Sequence, residues 1–167
     1  DNRKSGKRVN HDISASLNAD YFDNFRQTLT LSGTYTDIDR GSTSNNAIIL
    51  RNNADLYRGL SLDLDLGFTR REEIDGNDQT STFLRVSSNI DPHYRIHFTF
   101  NYLLTAVDES RRGSRLTQQA GVQAFWIPLN TLSLSTRLNY RDEDIDGTDP
   151  WNSQVYTVNW SPFPDGA

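Results

Sequence analysis

Two superposed periods limit what this chain can fold into more than any other feature. Tight-turn signals recur at Phe22-Asp23-Asn24-Phe25, Tyr57-Arg58-Gly59-Leu60, Pro92-His93-Tyr94, Pro128-Leu129-Asn130 and Pro162-Phe163-Pro164-Asp165-Gly166, at intervals of 35, 35, 36 and 34 residues. Midway between them lie longer polar segments, TDIDRGSTSNN, RREEIDGNDQT, VDESRRGSR and RDEDIDGTDPWN. Strand, long loop, strand, short turn is the spacing of a β-hairpin array. Two units also match residue by residue with one gap: LSLDLDLGFTRREEIDGND from Leu60 and LSLSTRLNYRDEDIDGTD from Leu132.

The second period is two. Leu60, Leu62, Leu64, Leu66 and Phe68 alternate with Ser61, Asp63, Asp65, Gly67 and Thr69. Tyr94, Ile96, Phe98, Phe100, Tyr102 and Leu104 alternate with Arg95, His97, Thr99 and Asn101, broken at Leu103. Alternation of this kind puts one set of side chains on each face of a strand. Similar runs from Val9 to Tyr21 and Leu132 to Tyr140, with weaker ones at Phe25–Tyr35, Ala47–Tyr57, Thr82–Ile90, Ala120–Ile127 and Val155–Trp160, give about nine strands and essentially no helix. The expected fold is all-β, an antiparallel up-and-down meander over 9–167, preceded by a polar segment over 1–8. It would form all or part of a transmembrane β-barrel.

Composition removes other classes. Apolar residues are 35% of the chain, and about 41% with glycine included, below the roughly 45–50% usual for a soluble globule. No apolar run approaches the length of a membrane-spanning helix. Cysteine is absent, which removes disulfides, thiolate metal sites and cysteine nucleophiles. Serines lie outside any G-x-S-x-G setting, and no glycine-rich phosphate loop leads from a strand into a helix. His11, His93 and His97 have no spacing that gathers them on a metal. No cofactor and no enzymatic activity are therefore expected. The 22 acids against 17 bases argue against a nucleic-acid surface.

Alternation alone does not say which face is covered, because soluble sandwiches alternate too. Three features favour a membrane. The polar face stays polar over whole strands, as a wet lumen would. Each strand with its flanks is about 10 to 14 residues, and roughly 9–11 tilted residues cross a bilayer. Aromatic residues gather at the short-turn end: Tyr21, Phe22, Phe25, Tyr57, Tyr94, Trp126, Trp160 and Phe163. Rings at one level suit a membrane interface. On this pattern the chain resembles bacterial outer-membrane β-barrels of the porin type from Val9 to Phe163. The resemblance implies an outer-membrane location, short turns in the periplasm, long loops outside, and lipid and lipopolysaccharide as surroundings. Such barrels have even strand numbers. Nine strands, no apolar leader before DNRKSGKRVN, and a last strand running into SPFPDGA therefore suggest a piece of a larger barrel. Its missing strands would come from the same parent chain or from a neighbour.

Parity assigns Asp12, Asp20, Arg26, Arg51, Asp55, Asp63, Asp65, Arg85, Arg95, His97, Arg137 and Asn139 to the inward face. Rows of both signs either tune ion passage or pair with one another. Asp63 and Asp65, two apart on one face, read as a solvated row. The midway segments hold 13 of the 22 acids, an anionic rim suited to divalent ions bridging lipopolysaccharide phosphates. Asp142-Glu143-Asp144-Ile145-Asp146-Gly147 opens like a calcium loop, but Ser153 stands where the closing glutamate belongs. Arg111, Arg112 and Arg115 read as rim charges. The leading expectation is a porin-like or export conduit with a polar lumen. The alternatives are a barrel that sheathes or anchors a lumenal or periplasmic partner protein in the outer membrane, and a soluble antiparallel barrel that acts as a binding module.

Overall fold

A computed structural model describes residues 9–38, 41–74, 76–144 and 149–161. Alternating residues with β-branched and aromatic enrichment pair into nine strands. These are β1 (Val9–Phe22), β2 (Phe25–Ile38), β3 (Gly41–Tyr57), β4 (Leu60–Glu72), β5 (Gln79–His93), β6 (Ile96–Glu109), β7 (Gly113–Leu129), β8 (Leu132–Glu143) and β9 (Trp151–Trp160). They form one sheet in chain order, each strand antiparallel to the next. No helix occurs among the described residues. The meander is therefore as the two periods require. Among the described residues β1 and β9 each pair on one side, which leaves the described sheet two open edges.

Two-residue turns join the strands at one end, at 23–24, 58–59, 94–95 and 130–131. Gly59 is required in its turn: its φ is +82°, and a Cβ there would stand 2.4 Å from the carbonyl oxygen of Asp91. Two sequence-predicted turns are displaced. Pro92 and Pro128 lie inside β5 and β7, where the register shifts between Ile90 and His93 and between Trp126 and Leu129. Proline has no N–H to give the ladder, so it sits at a bulge and the turn forms two residues later. The fifth turn signal, Pro162 to Gly166, lies outside the described residues. The 35-residue repeat reappears as stitching, in which the second residue of each turn accepts a bond from the next hairpin. Asp55 donates to Asn24, Asp91 to Gly59, Ile127 to Arg95 and Ser161 to Thr131.

At the other end the structure corrects the sequence expectation of long loops. Most of two polar segments, 36–46 and 107–115, continues the ladder, and the ends of the other two do. β2 ends at Ile38 and β3 begins at Gly41, and β6 and β7 are joined by 110–112. Longer connections remain at 73–78 and 144–150. Strands run from 10 residues in β9 to 17 in β3 and β7. Hydropathic alternation marks where a strand has one apolar face, and backbone pairing continues into polar stretches that lack it.

The sheet has no conventional core. Among the described residues Val107, Glu109 and Gly67 are buried. The chain exposes 12612 Å², about half again the roughly 8,400 Å² that a compact monomer of this mass would show. Leu17, Ile13, Tyr156, Val158 and Trp160 are all more than 60% exposed. A single layer this apolar on one side requires a second apolar medium against it.

Candidate functional site

Cross-strand register, rather than any single loop, builds the site. Directly opposed residues in an antiparallel ladder share a face. Following partners from strand to strand gives the row Thr28, Arg51, Asp65, Arg85, Leu103, Gln119, Arg141, Trp151. The next row toward the short turns reads Asp20, Arg26, Asn53, Asp63, Ser87, Asn101, Gly121, Asn139, Ser153. By the same register Asp12, Asp55, His97 and Arg137 lie on this polar face. Arg95 stands just outside β6, in the β5–β6 turn.

Register brings some of these residues together and leaves others apart. Asp65 is directly opposite both Arg51 and Arg85. Its carboxylate lies 3.8 Å from Arg85 and is 16% exposed. The Arg85 guanidinium also stands 5.9 Å from the centroid of the Phe83 ring. Arg26 donates to Asp20 at 2.7 Å, and Asn53 donates to Asp63. Toward the turns His97 contacts Asp91 through Nδ1 and Thr99 Oγ1 through Nε2, the latter at 3.1 Å. Arg95 bridges two turns, donating to the carbonyl of Pro128 and to Asn130 Oδ1, each at 3.1 Å. Asp12 and Arg137 stand in separate rows, at opposite ends of the sheet, and engage Asn10 and Gln123. Exposed pairs of this kind contribute little to stability, so their main effect is the field they set along the face.

Several residues on this face escaped the sequence reading. Ile49, Phe83, Val107 and Phe125 share it with Leu103. Phe83 lies across Gly67, where a Cβ would come within 2.1 Å of the ring. The available signal was the lone glycine in LDLGF, which marks a close approach within a strand. Glu109 was counted among rim acids, yet it is buried, with Arg115 at 3.2 Å and Arg112 at 3.9 Å. Two of the three supposed rim arginines therefore clamp the β6–β7 turn. Glu109→Gln should destabilise this hairpin by about 1–3 kcal/mol through loss of charge-assisted bonds. Faster hydrogen exchange at 107–115 than in the parent would register it.

The opposite face is apolar. Among exposed large apolar residues paired in the ladders, only Trp151 and Val155 lie on the polar side. Tyr21, Phe22, Phe25, Tyr57, Tyr94, Trp126 and Trp160 all sit at or beside the short-turn ends. Phe163 lies outside the described residues. Tyr57 and Tyr94 are each 80% exposed. Small residues Ala124 and Thr136 between Phe98 and Tyr156 leave an apolar groove of about 510 Å³.

At the acidic end, Asp142 and Glu143 belong to β8 and Ser153 to β9, where Ser153 accepts from Asn139 at 3.2 Å. Residues 145–148 of the calcium-like segment lie outside the described residues. Compared with protein-family models and with curated proteins, the chain finds no match.

Proposed function

We propose that this chain is part of an outer-membrane β-barrel, its apolar face toward lipid and its polar face toward a lumen that conducts ions or small solutes. The observation that carries this reading is the consistency of the two faces across eight ladders. Every strand-borne residue assigned inward by parity falls on the polar side, while Leu17, Leu31, Ile48, Phe68, Phe98, Phe100, Val122 and Val158 fall on the other. A strand crosses a bilayer only when its neighbours satisfy its backbone groups. Eight continuous ladders meet that condition between β1 and β9, and further strands on the two edges would complete it. Outer-membrane lipid and lipopolysaccharide are the proposed surroundings.

The lumenal row Arg51, Asp65, Arg85 places one acid between two bases, an arrangement that tunes ion preference. Reconstitution in a planar bilayer should give discrete conductance steps, and Asp65→Asn should move the reversal potential toward anion preference. A silent trace from protein that migrates as a folded barrel would overturn the conduit and favour a sheath around a partner.

A further inference from the structure

We propose that the polar face between β5 and β9 carries a binding groove for an acidic oligosaccharide. The groove is an open depression of about 400 Å³. Its floor is Gly121, whose missing side chain leaves the nearest atom, Asn139 Oδ1, 3.4 Å from where a Cβ would be. Asn101 and Asn139 are directly opposite Gly121 on either side, and Gln119 lies one row away. Carboxamides carry both N–H donors and an acceptor, and Asn139, which gives one N–H to Ser153, keeps one of each, the combination that matches a hydroxyl, itself donor and acceptor.

Charge and an aromatic surface define the rest of the ligand. Arg85 lines one side of the groove and Arg141 the other, three strands apart, or about 14 Å at the usual strand spacing. Among the described residues no acid lines the groove. Each arginine has its acid outside it: Asp65 for Arg85 and Glu143 for Arg141. With five donors each, both guanidiniums retain N–H groups for a ligand carboxylate. Asp65 is shared between Arg51 and Arg85, so that row keeps one positive charge in excess while Arg141 and Glu143 balance, which suits a singly charged carboxylate better than a run of phosphates. Directly opposite Arg141 is Trp151, 55% exposed, whose indole offers an apolar surface to the C–H face of a sugar ring. A short chain of uronic acid residues combines all three requirements.

The inference rests on the polar face being open to solute, and it is tested apart from conductance. Within these 167 residues W126F and W160F leave Trp151 as the single indole, and trigalacturonate titrated into the detergent-solubilised barrel carrying both changes should change the fluorescence that Trp151 contributes. Maltotriose should bind at least about tenfold more weakly, and the R85Q/R141Q pair should weaken trigalacturonate binding by about tenfold or more. Gly121→Leu should abolish binding by filling the floor. The arginine pair keeps the test intact if the leucine variant does not fold. Absence of trigalacturonate binding, equal affinity for maltotriose, or indifference to R85Q/R141Q would each overturn the groove. Binding by a barrel that conducts no ions would sink the conduit and leave the groove standing. Conductance without binding would do the reverse.

Discussion

Phe100→Arg should prevent stable insertion, while Ser87→Arg should leave the protein folded in the membrane. Phe100 lies mid-strand in β6 on the apolar face, opposite Ser88 and Val122. An arginine facing lipid near the bilayer midplane costs about 2–4 kcal/mol, or about 30-fold to several hundredfold in the folded population. Ser87 lies in a neighbouring strand on the other face, directly opposite Asp63 and Asn101, where a new guanidinium gains an acid and stays in water. The pair separates a membrane sheet from a soluble one. On a water-exposed face Phe100→Arg would be harmless, since Phe100 is already 38% exposed. Urea titration of each variant in lipid vesicles measures the difference.

Gly67→Val should be among the most damaging changes on the polar face. A Cβ at 67 would stand 2.1 Å from Phe83 Cε1 and 2.3 Å from Cζ, so either the ring leaves its rotamer or β4 and β5 move apart. Overpacking of this kind costs about 1–3 kcal/mol. Phe83→Ala alone should also destabilise, because it uncovers the buried glycine backbone. The double variant should recover most of the valine penalty, since the two residues are directly paired and contacting pairs couple by about 0.5–3 kcal/mol. Additive losses in the double-mutant cycle would show that the ring does not pin this register.

What the sequence disclosed depended on where alternation was clean. From Leu60 to Phe68 every second residue is large and apolar, and parity alone assigned Asp63 and Asp65 to the face on which the ladder places them. The stretch Gly41–Asn46 carries no such contrast, so β3 looked shorter than it is. Pairs that depend on register were beyond a one-dimensional reading. Phe83 meets Gly67, and Arg141 meets Trp151, only once β4–β5 and β8–β9 are aligned. Arg115 reaches Glu109 across the β6–β7 turn, which required knowing that both residues continue the ladder. The two prolines misled for a related reason: proline marks a break in hydrogen bonding, and a bulge breaks it as well as a turn does.

The most direct test of the two-faced membrane sheet uses the absence of cysteine. Single cysteines at successive positions from His97 to Ala106 in β6 would carry a nitroxide, and the refolded protein in lipid vesicles would be scanned for collision with oxygen and with a water-soluble nickel chelate. Oxygen access should peak at 98, 100, 102, 104 and 106, and nickel access at 97, 99, 101, 103 and 105, in strict alternation. Equal nickel access at both sets, or oxygen access that peaks on the odd positions, would contradict a sheet with lipid on its apolar face and water on its polar one.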